Sequence, residues 1–175
     1  RDRNGTVAYE RYGLGNDQTT RWASWSVAKS ITSLLVGAAV HDGYIESIDE
    51  KVTAYLPRLK DSAYEGATIR NLLHMASGVE WNEDYVDPQS DVNSVPWGTL
   101  PLQRYLRSRG AAAEPGTVFN YNTAETNLVG TLLRAAIGNN LSTYLSEKSG
   151  SPSAWKRMPT GPLQSRAAAS LAAAV

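Results

Sequence analysis

The chain has 175 residues, 42% of them apolar, with 17 basic and 17 acidic side chains and no cysteine. A hydrophobic core can form, and no basic field exists to attract nucleic acid or an anionic membrane. Disulfides and thiolate metal sites are excluded.

Thr6 to Tyr12 carries Val7, Tyr9 and Tyr12 among polar residues, between Asn4-Gly5 and Gly13, and predicts a strand preceded by a turn. Thr19 to Trp25 predicts a second strand. A helix follows from Ser26 to His41, with Val27, Ile31, Leu34, Leu35, Ala38 and Ala39 at helical spacing and Gly43 as its stop. Its apolar stretch, Ile31 to Val40, is too short to span a bilayer and is broken by Thr32, Ser33 and Gly37.

Shorter helices are predicted beyond it. One runs from an N-cap at Thr68 to Ala76, with Gly78 as the glycine past its end. Others cover Pro101 to Arg109, Ala124 to Ile137 before Gly138, and Leu141 to Lys148. Glu80 to Leu100, rich in Asp, Asn, Pro and Trp, reads as a long loop, either functional or mobile. Asp42, Asp49 and Glu50 read as solvated surface. His41 suits a helix C-terminus, and His41 and His74 lack ligand spacing, so no metal site is expected. Two strands and a string of helices do not close a sheet, so further strands are expected to lie outside this chain.

The chemistry concentrates where the first helix begins. A serine hydroxyl is a poor nucleophile until a base takes its proton, and a lysine amine in a suitable environment is such a base. Residues three apart on a helix share a face, so Ser26 and Lys29 lie within reach of each other. The first-turn N–H groups are expected to be free to hold an oxyanion. The spacing alone is weak evidence, because Ser153-Ala154-Trp155-Lys156 repeats it in a region without helical pattern.

The wider sequence carries more. Trp25-Ser26-Val27-Ala28-Lys29-Ser30 and the apolar helix ending in His41-Asp42-Gly43 resemble the beta-lactamase-related serine hydrolases. That superfamily includes class C beta-lactamases, penicillin-binding proteins, family VIII esterases and 6-aminohexanoate-dimer hydrolases. Tyr9-Glu10-Arg11-Tyr12-Gly13 is similar to the strand before the family's nucleophile. Thr68 to Gly78 is similar to its "T-I-R-x-L-L-x-M-x-S-G" segment, and Glu114 to Tyr121 to the segment that delivers a catalytic tyrosine. The likeness runs from about Thr6 to Lys148, and Asn82-Glu83-Asp84-Tyr85 points to the nylon-oligomer hydrolase and esterase branch.

The resemblance implies an α/β plus all-α, beta-lactamase/transpeptidase-like fold, incomplete here, with C-terminal strands absent. It implies a serine hydrolase of small-molecule esters or amides that works through an acyl-enzyme without metal or organic cofactor. Ser26 would be the nucleophile, Lys29 its base and Tyr121 the proton carrier to the leaving group. Tyr85 would line the acyl pocket, or equally anchor its loop. Thr123 stands where the family has asparagine and would face the substrate with one hydroxyl. A non-catalytic relic or a penicillin-recognising module is the alternative. Exported and cytoplasmic relatives both exist, so the compartment stays open; a chain opening at Arg1 rather than Met reads as a fragment.

Residues 1–148 are therefore assigned to a partial hydrolase domain and residues 149–175 to a disordered tail outside the family pattern. Ser149 to Pro162 can be back-translated so that the neighbouring reading frame gives I-W-K-P-V-G-M-E-T-D-A-Y-W-P, a family-like continuation. The expectation is a frameshift near Ser149, and a truncated product of low activity.

Overall fold

The computed structural model describes residues 2–3, 6–20 and 24–148. The expected tail and frameshift, Ser153 and Lys156 included, lie outside the described residues.

Strands β1 (Asp2–Arg3) and β2 (Thr6–Val7) pair antiparallel, Asp2 opposite Val7 and Arg3 opposite Thr6. The strand expected over Thr6 to Tyr12 thus shrinks to two residues, because a strand extends only as far as its partner. The second expected strand is not formed where it can be seen. Arg21 to Ala23 lie outside the described residues, while Asp17 closes a turn by accepting bonds from the Thr19 N–H at 2.8 Å and the Thr19 hydroxyl at 2.7 Å. Apart from β1, β2 and the bridges Lys51–Thr68 and Val79–Ala111, the described residues carry helices and turns. The α/β half of the expected fold is therefore not seen among them; the helical half is.

The helices are α1 (Val27–His41), α2 (Val52–Tyr55), a 3-10 turn (Pro57–Leu59), α3 (Ile69–Leu73), α4 (Asp91–Ser94), α5 (Thr99–Arg107), α6 (Thr123–Ile137) and α7 (Leu141–Lys148). Helix α6 is the hub and packs against α1, α2, α3, α5 and α7. The reason lies in its sequence. Ala124, Leu128, Val129, Leu132 and Leu133 are all buried, and a helix that is apolar on most sides must be surrounded. No described helix is long and apolar enough to cross a membrane.

Helix α1 buries Ala28, Thr32, Leu35, Val36 and Ala39, spaced mostly three or four apart along one stripe. Only part of the expected core set is in it: Val27 and Leu34 are 66% and 73% exposed. Its apolar residues therefore form two faces, one against α6 and α7 and one turned outward.

Thr68 caps α3 through a capping box: its hydroxyl accepts the Asn71 N–H at 3.2 Å, and Asn71 Oδ1 accepts the Thr68 N–H at 2.9 Å. The helix ends sooner than expected, at Leu73, in a Schellman turn in which the Ala76 N–H reaches the Asn71 carbonyl at 2.8 Å. Met75, at φ 52°, takes the left-handed position usually given to glycine. Gly78 therefore does not end the helix; its φ is 79°, and a Cβ there would lie 2.1 Å from the Ala113 carbonyl oxygen. Its own carbonyl accepts the N–H groups of Ala112 and Ala113 at 2.8 and 3.0 Å. This close approach lays residues 111–120 along residues 75–79, ending with the Asn120 N–H on the Met75 carbonyl at 2.8 Å. Tyr121 comes next.

Two further expectations change. The segment Glu80 to Leu100 is no bare loop: Trp81, Ser90 and Val92 are buried, α4 forms inside it, and Asp91 accepts bonds from Tyr105 at 2.7 Å and Arg109 at 3.0 Å. Of the acidic residues read as solvated, Asp42 binds Tyr144 Oη at 2.7 Å and Lys148 Nζ at 2.6 Å, tying the end of α1 to α7. Asp49 stays at the surface as expected, its side chain 62% exposed while it pairs with Arg70 at 2.6 Å, and half-buried Glu50 accepts the Tyr55 hydroxyl at 2.6 Å.

Candidate active site

Ser26 is the N-cap of α1, a position where serine ordinarily bonds to the N–H two or three residues on. It does not do so here; its side chain makes no capping bond. Its Oγ lies 2.8 Å from Tyr121 Oη instead, across 95 residues of sequence. The residue before it, Trp25, sits at φ 44°, a left-handed backbone that costs a non-glycine residue about 1–2 kcal/mol. Strain of that kind persists when the surrounding structure holds it, and it gathers at functional sites.

Lys29, one turn further along α1, directs Nζ to Ser26 Oγ and to Thr123 Oγ1, each at 3.4 Å. The same nitrogen lies 5.1 Å from the centre of the Tyr121 ring, within cation–π range. Tyr121 arrives on the segment that Gly78 admits, and Thr123 opens α6. Four side chains from two distant stretches thus meet at the joined ends of α1 and α6. Ser26 is exposed, while Lys29, Tyr121 and Thr123 are half-buried. The 3.4 Å contacts are long, but catalytic bonds often tighten only once substrate is bound.

The expected oxyanion donors differ. The N–H groups of Val27, Ala28 and Lys29 are taken by the carbonyls of Ser24, Trp25 and Ser26 at 3.0 to 3.1 Å. A tight 3-10 first turn satisfies donors that an ordinary helix start leaves open.

Tyr85 is brought near but does not touch Ser26: its hydroxyl donates to Glu83 Oε1 at 2.6 Å, and the residue is 64% exposed. Partial burial of the phenol, then the Glu83 bond, raise its pKa above the usual value. His41 and His74 are exposed, at the ends of α1 and α3.

One residue was missed. The Glu83 carboxylate accepts from Thr123 N–H at 3.0 Å, from the Thr123 hydroxyl, from the Trp81 indole N–H and from Tyr85. A signal for it exists in the sequence: Trp81, Glu83 and Tyr85 alternate, which places their side chains on one side of an extended segment. An acid flanked by two hydrogen-bonding aromatics invites that reading.

Below the site lies a buried polar set. Tyr64, Ser77, Asn122 and Glu125 are almost wholly enclosed, and burial pushes the Glu125 carboxyl up to about 8. Asn122 caps α6 by accepting the Glu125 N–H at 3.2 Å.

Compared with known proteins, residues 3–169 match the family described as Beta-lactamase. The 6-aminohexanoate-dimer hydrolase of Paenarthrobacter ureafaciens is 33% identical, over 83% of this chain and 40% of that protein. A solved Bacillus anthracis protein assigned as a 6-aminohexanoate-dimer hydrolase superposes with a TM-score of 0.66 at 24% identity, over 82% of this chain and 41% of its own. A class C beta-lactamase solved with cefoxitin superposes at 0.53 and 25% identity, over 65% of this chain and 29% of that one. The chain spans about two fifths of the curated relative it matches.

Proposed function

The chain belongs to the beta-lactamase family, and we propose that it carries the nucleophile half of a serine hydrolase acting on small esters or amides through an acyl-enzyme. The observation that carries this reading is the 2.8 Å contact between Ser26 Oγ and Tyr121 Oη, with the Lys29 amine beside both.

In the first step Ser26 Oγ bonds to the substrate carbonyl carbon as its proton passes to Lys29 Nζ, and the carbonyl electron pair moves to oxygen. As the tetrahedral species collapses, the bond to the leaving group breaks and Tyr121 gives that group its proton. The Lys29 ammonium restores the phenol. Water then attacks the acyl carbon as Tyr121 takes its proton and passes its own to the Lys29 amine, and the same route returns a proton to Ser26 Oγ as the acid is released. Tyr85 and Thr123 face the substrate in this scheme. The 33% identity to a 6-aminohexanoate-dimer hydrolase favours linear amides and esters as the substrate class.

A second reading is favoured by a separate observation. The outer apolar face of α1, with Val27 and Leu34 exposed, fits a fold whose site is not completed by the described residues. In that case the chain is a non-catalytic relic or a penicillin-recognising module.

A fluorophosphonate probe separates the two. The hydrolase reading expects labelling of the folded chain that disappears in Ser26→Ala. Folded chain that stays unlabelled by the probe and by a fluorescent penicillin would favour the relic; penicillin binding without turnover would favour the module.

A further inference from the structure

The Glu83 carboxylate receives four hydrogen bonds, two on each oxygen. Oε2 accepts from the Thr123 N–H at 3.0 Å and from the Trp81 indole; Oε1 accepts from the Tyr85 hydroxyl at 2.6 Å and from the Thr123 hydroxyl. An ionised carboxylate has about four acceptor sites and no donor. Only an acidic side chain takes all four as donors: an amide could keep the two N–H groups on its carbonyl oxygen, but its NH2 would turn the Tyr85 and Thr123 hydroxyls into acceptors and release the Thr123 proton toward Lys29.

The consequence falls on Thr123. A threonine hydroxyl has one proton and two lone pairs. Its proton is committed to Glu83, so both lone pairs are left for other donors, and the Lys29 amine points at them from 3.4 Å. With the hydroxyl free to rotate, its proton could equally face Lys29, and the contact would be as often repulsive as attractive. The Thr123 backbone is held by the same carboxylate, so the oxygen cannot drift from Lys29.

We propose that Glu83 is a positioning residue: by taking the Thr123 hydroxyl proton it makes Thr123 a permanent acceptor that holds Lys29 Nζ beside Ser26 Oγ. The proposal rests on the catalytic reading above for its effect on rate, but its geometric part stands apart from it. When Lys29 takes up the Ser26 proton, the resulting ammonium has three N–H groups to satisfy. Ser26 Oγ, Thr123 Oγ1 and the face of Tyr121 are the acceptors around it, and Glu83 keeps the second of these correctly oriented. The residue touches no substrate in this scheme. It acts through Thr123.

The test is a double-mutant cycle on the whole chain, using Glu83→Gln, the near-isosteric Thr123→Val and the pair together. The rate constant for phosphonylation of Ser26 by a fluorophosphonate is read, with thermal midpoints and crystal structures of each variant. Hydrogen bonds to charged groups are worth about 1.5–3 kcal/mol, so each single variant is expected to slow labelling by about 10- to 100-fold. The double variant should be no slower than Thr123→Val, since Glu83 has no route to Lys29 without the hydroxyl. Multiplying effects would overturn the proposal, as would a wild-type rate in Thr123→Val. The structures decide the geometry without any activity: Lys29 Nζ should leave Thr123 in both single variants, and its staying in place would overturn the idea. Should the parent chain fail to label Ser26, the catalytic reading falls, while the position of Lys29 in the variants still judges Glu83. Should Glu83→Gln fail to fold, Glu83→Asp, whose carboxylate stands one carbon short of Thr123, is read in its place: Lys29 Nζ should again leave Thr123 and labelling should slow, and an unmoved Lys29 would overturn the proposal.

Discussion

Asp42 and Tyr144, 102 residues apart, meet through a 2.7 Å hydrogen bond from the phenol to Oδ2, and Lys148 reaches the same oxygen at 2.6 Å. These contacts fasten α7 to the end of α1. The Lys148 bond first, then those of Tyr144 and His41, lower the Asp42 carboxyl from 3.8 to about 2. A depressed acid stabilises the fold above its unfolded pKa, and that contribution is lost as pH falls through the folded one. Asp42→Asn is therefore expected to melt below the parent at pH 7, with the gap closing between about pH 4 and pH 2. Thermal midpoints taken across that range check it, and a gap unchanged at about pH 2 would contradict it.

Glu125 behaves in the opposite sense. Burial raises its carboxyl from 4.5 to about 8, so the folded chain binds a proton there that the unfolded chain has released at neutral pH. Stability then falls as pH rises from about 4.5 to about 8. Glu125→Gln, neutral at every pH, should remove that slope and gain about 1–3 kcal/mol at pH 8, the usual penalty of a buried unsatisfied polar group. Urea midpoints at pH 5 and pH 8 give the answer; equal slopes in parent and variant would refute it.

Tyr121→Phe removes one oxygen, the one that faces Ser26 Oγ. Loss of a positioned acid–base group typically costs about 10²–10⁴ in rate. Labelling of Ser26 by the fluorophosphonate should drop within that range, while the thermal midpoint moves little because the ring stays packed. A variant labelled as fast as the parent would leave the phenol without a chemical role.

Gly78→Ala tests how the tyrosine is delivered. The new Cβ would meet the Ala113 carbonyl oxygen at 2.1 Å, and the backbone at φ 79° adds strain of about 1–3 kcal/mol. Residues 111–120 must move, so both stability and Ser26 labelling should fall. Crystal or NMR data showing Tyr121 still against Ser26 would remove the link between this turn and the site.

Much of this was legible in one dimension. Ser26 and Lys29 are three apart on a helix, so their proximity follows from helical geometry alone, and Thr68 announces its cap through the Asn71 partner. The helices α1, α5, α6 and α7 fall where apolar spacing puts them, within a few residues at their ends. Local rules suffice wherever the cause is local. Other features depend on partners distant in sequence. Which half of the α1 apolar set is buried was decided by where α6 and α7 lie, since the spacing supports either face. Gly78 reads as a helix stop until the Ala113 carbonyl is found against it. Asp42 reads as solvated until α7 returns to it. Glu83, a charged residue in a polar run, becomes the fixed point of the site only when Thr123 arrives from 40 residues away. Periodicity records how a segment pairs with itself; hydrogen bonds between distant segments depend on chain paths that packing around α6 alone selects.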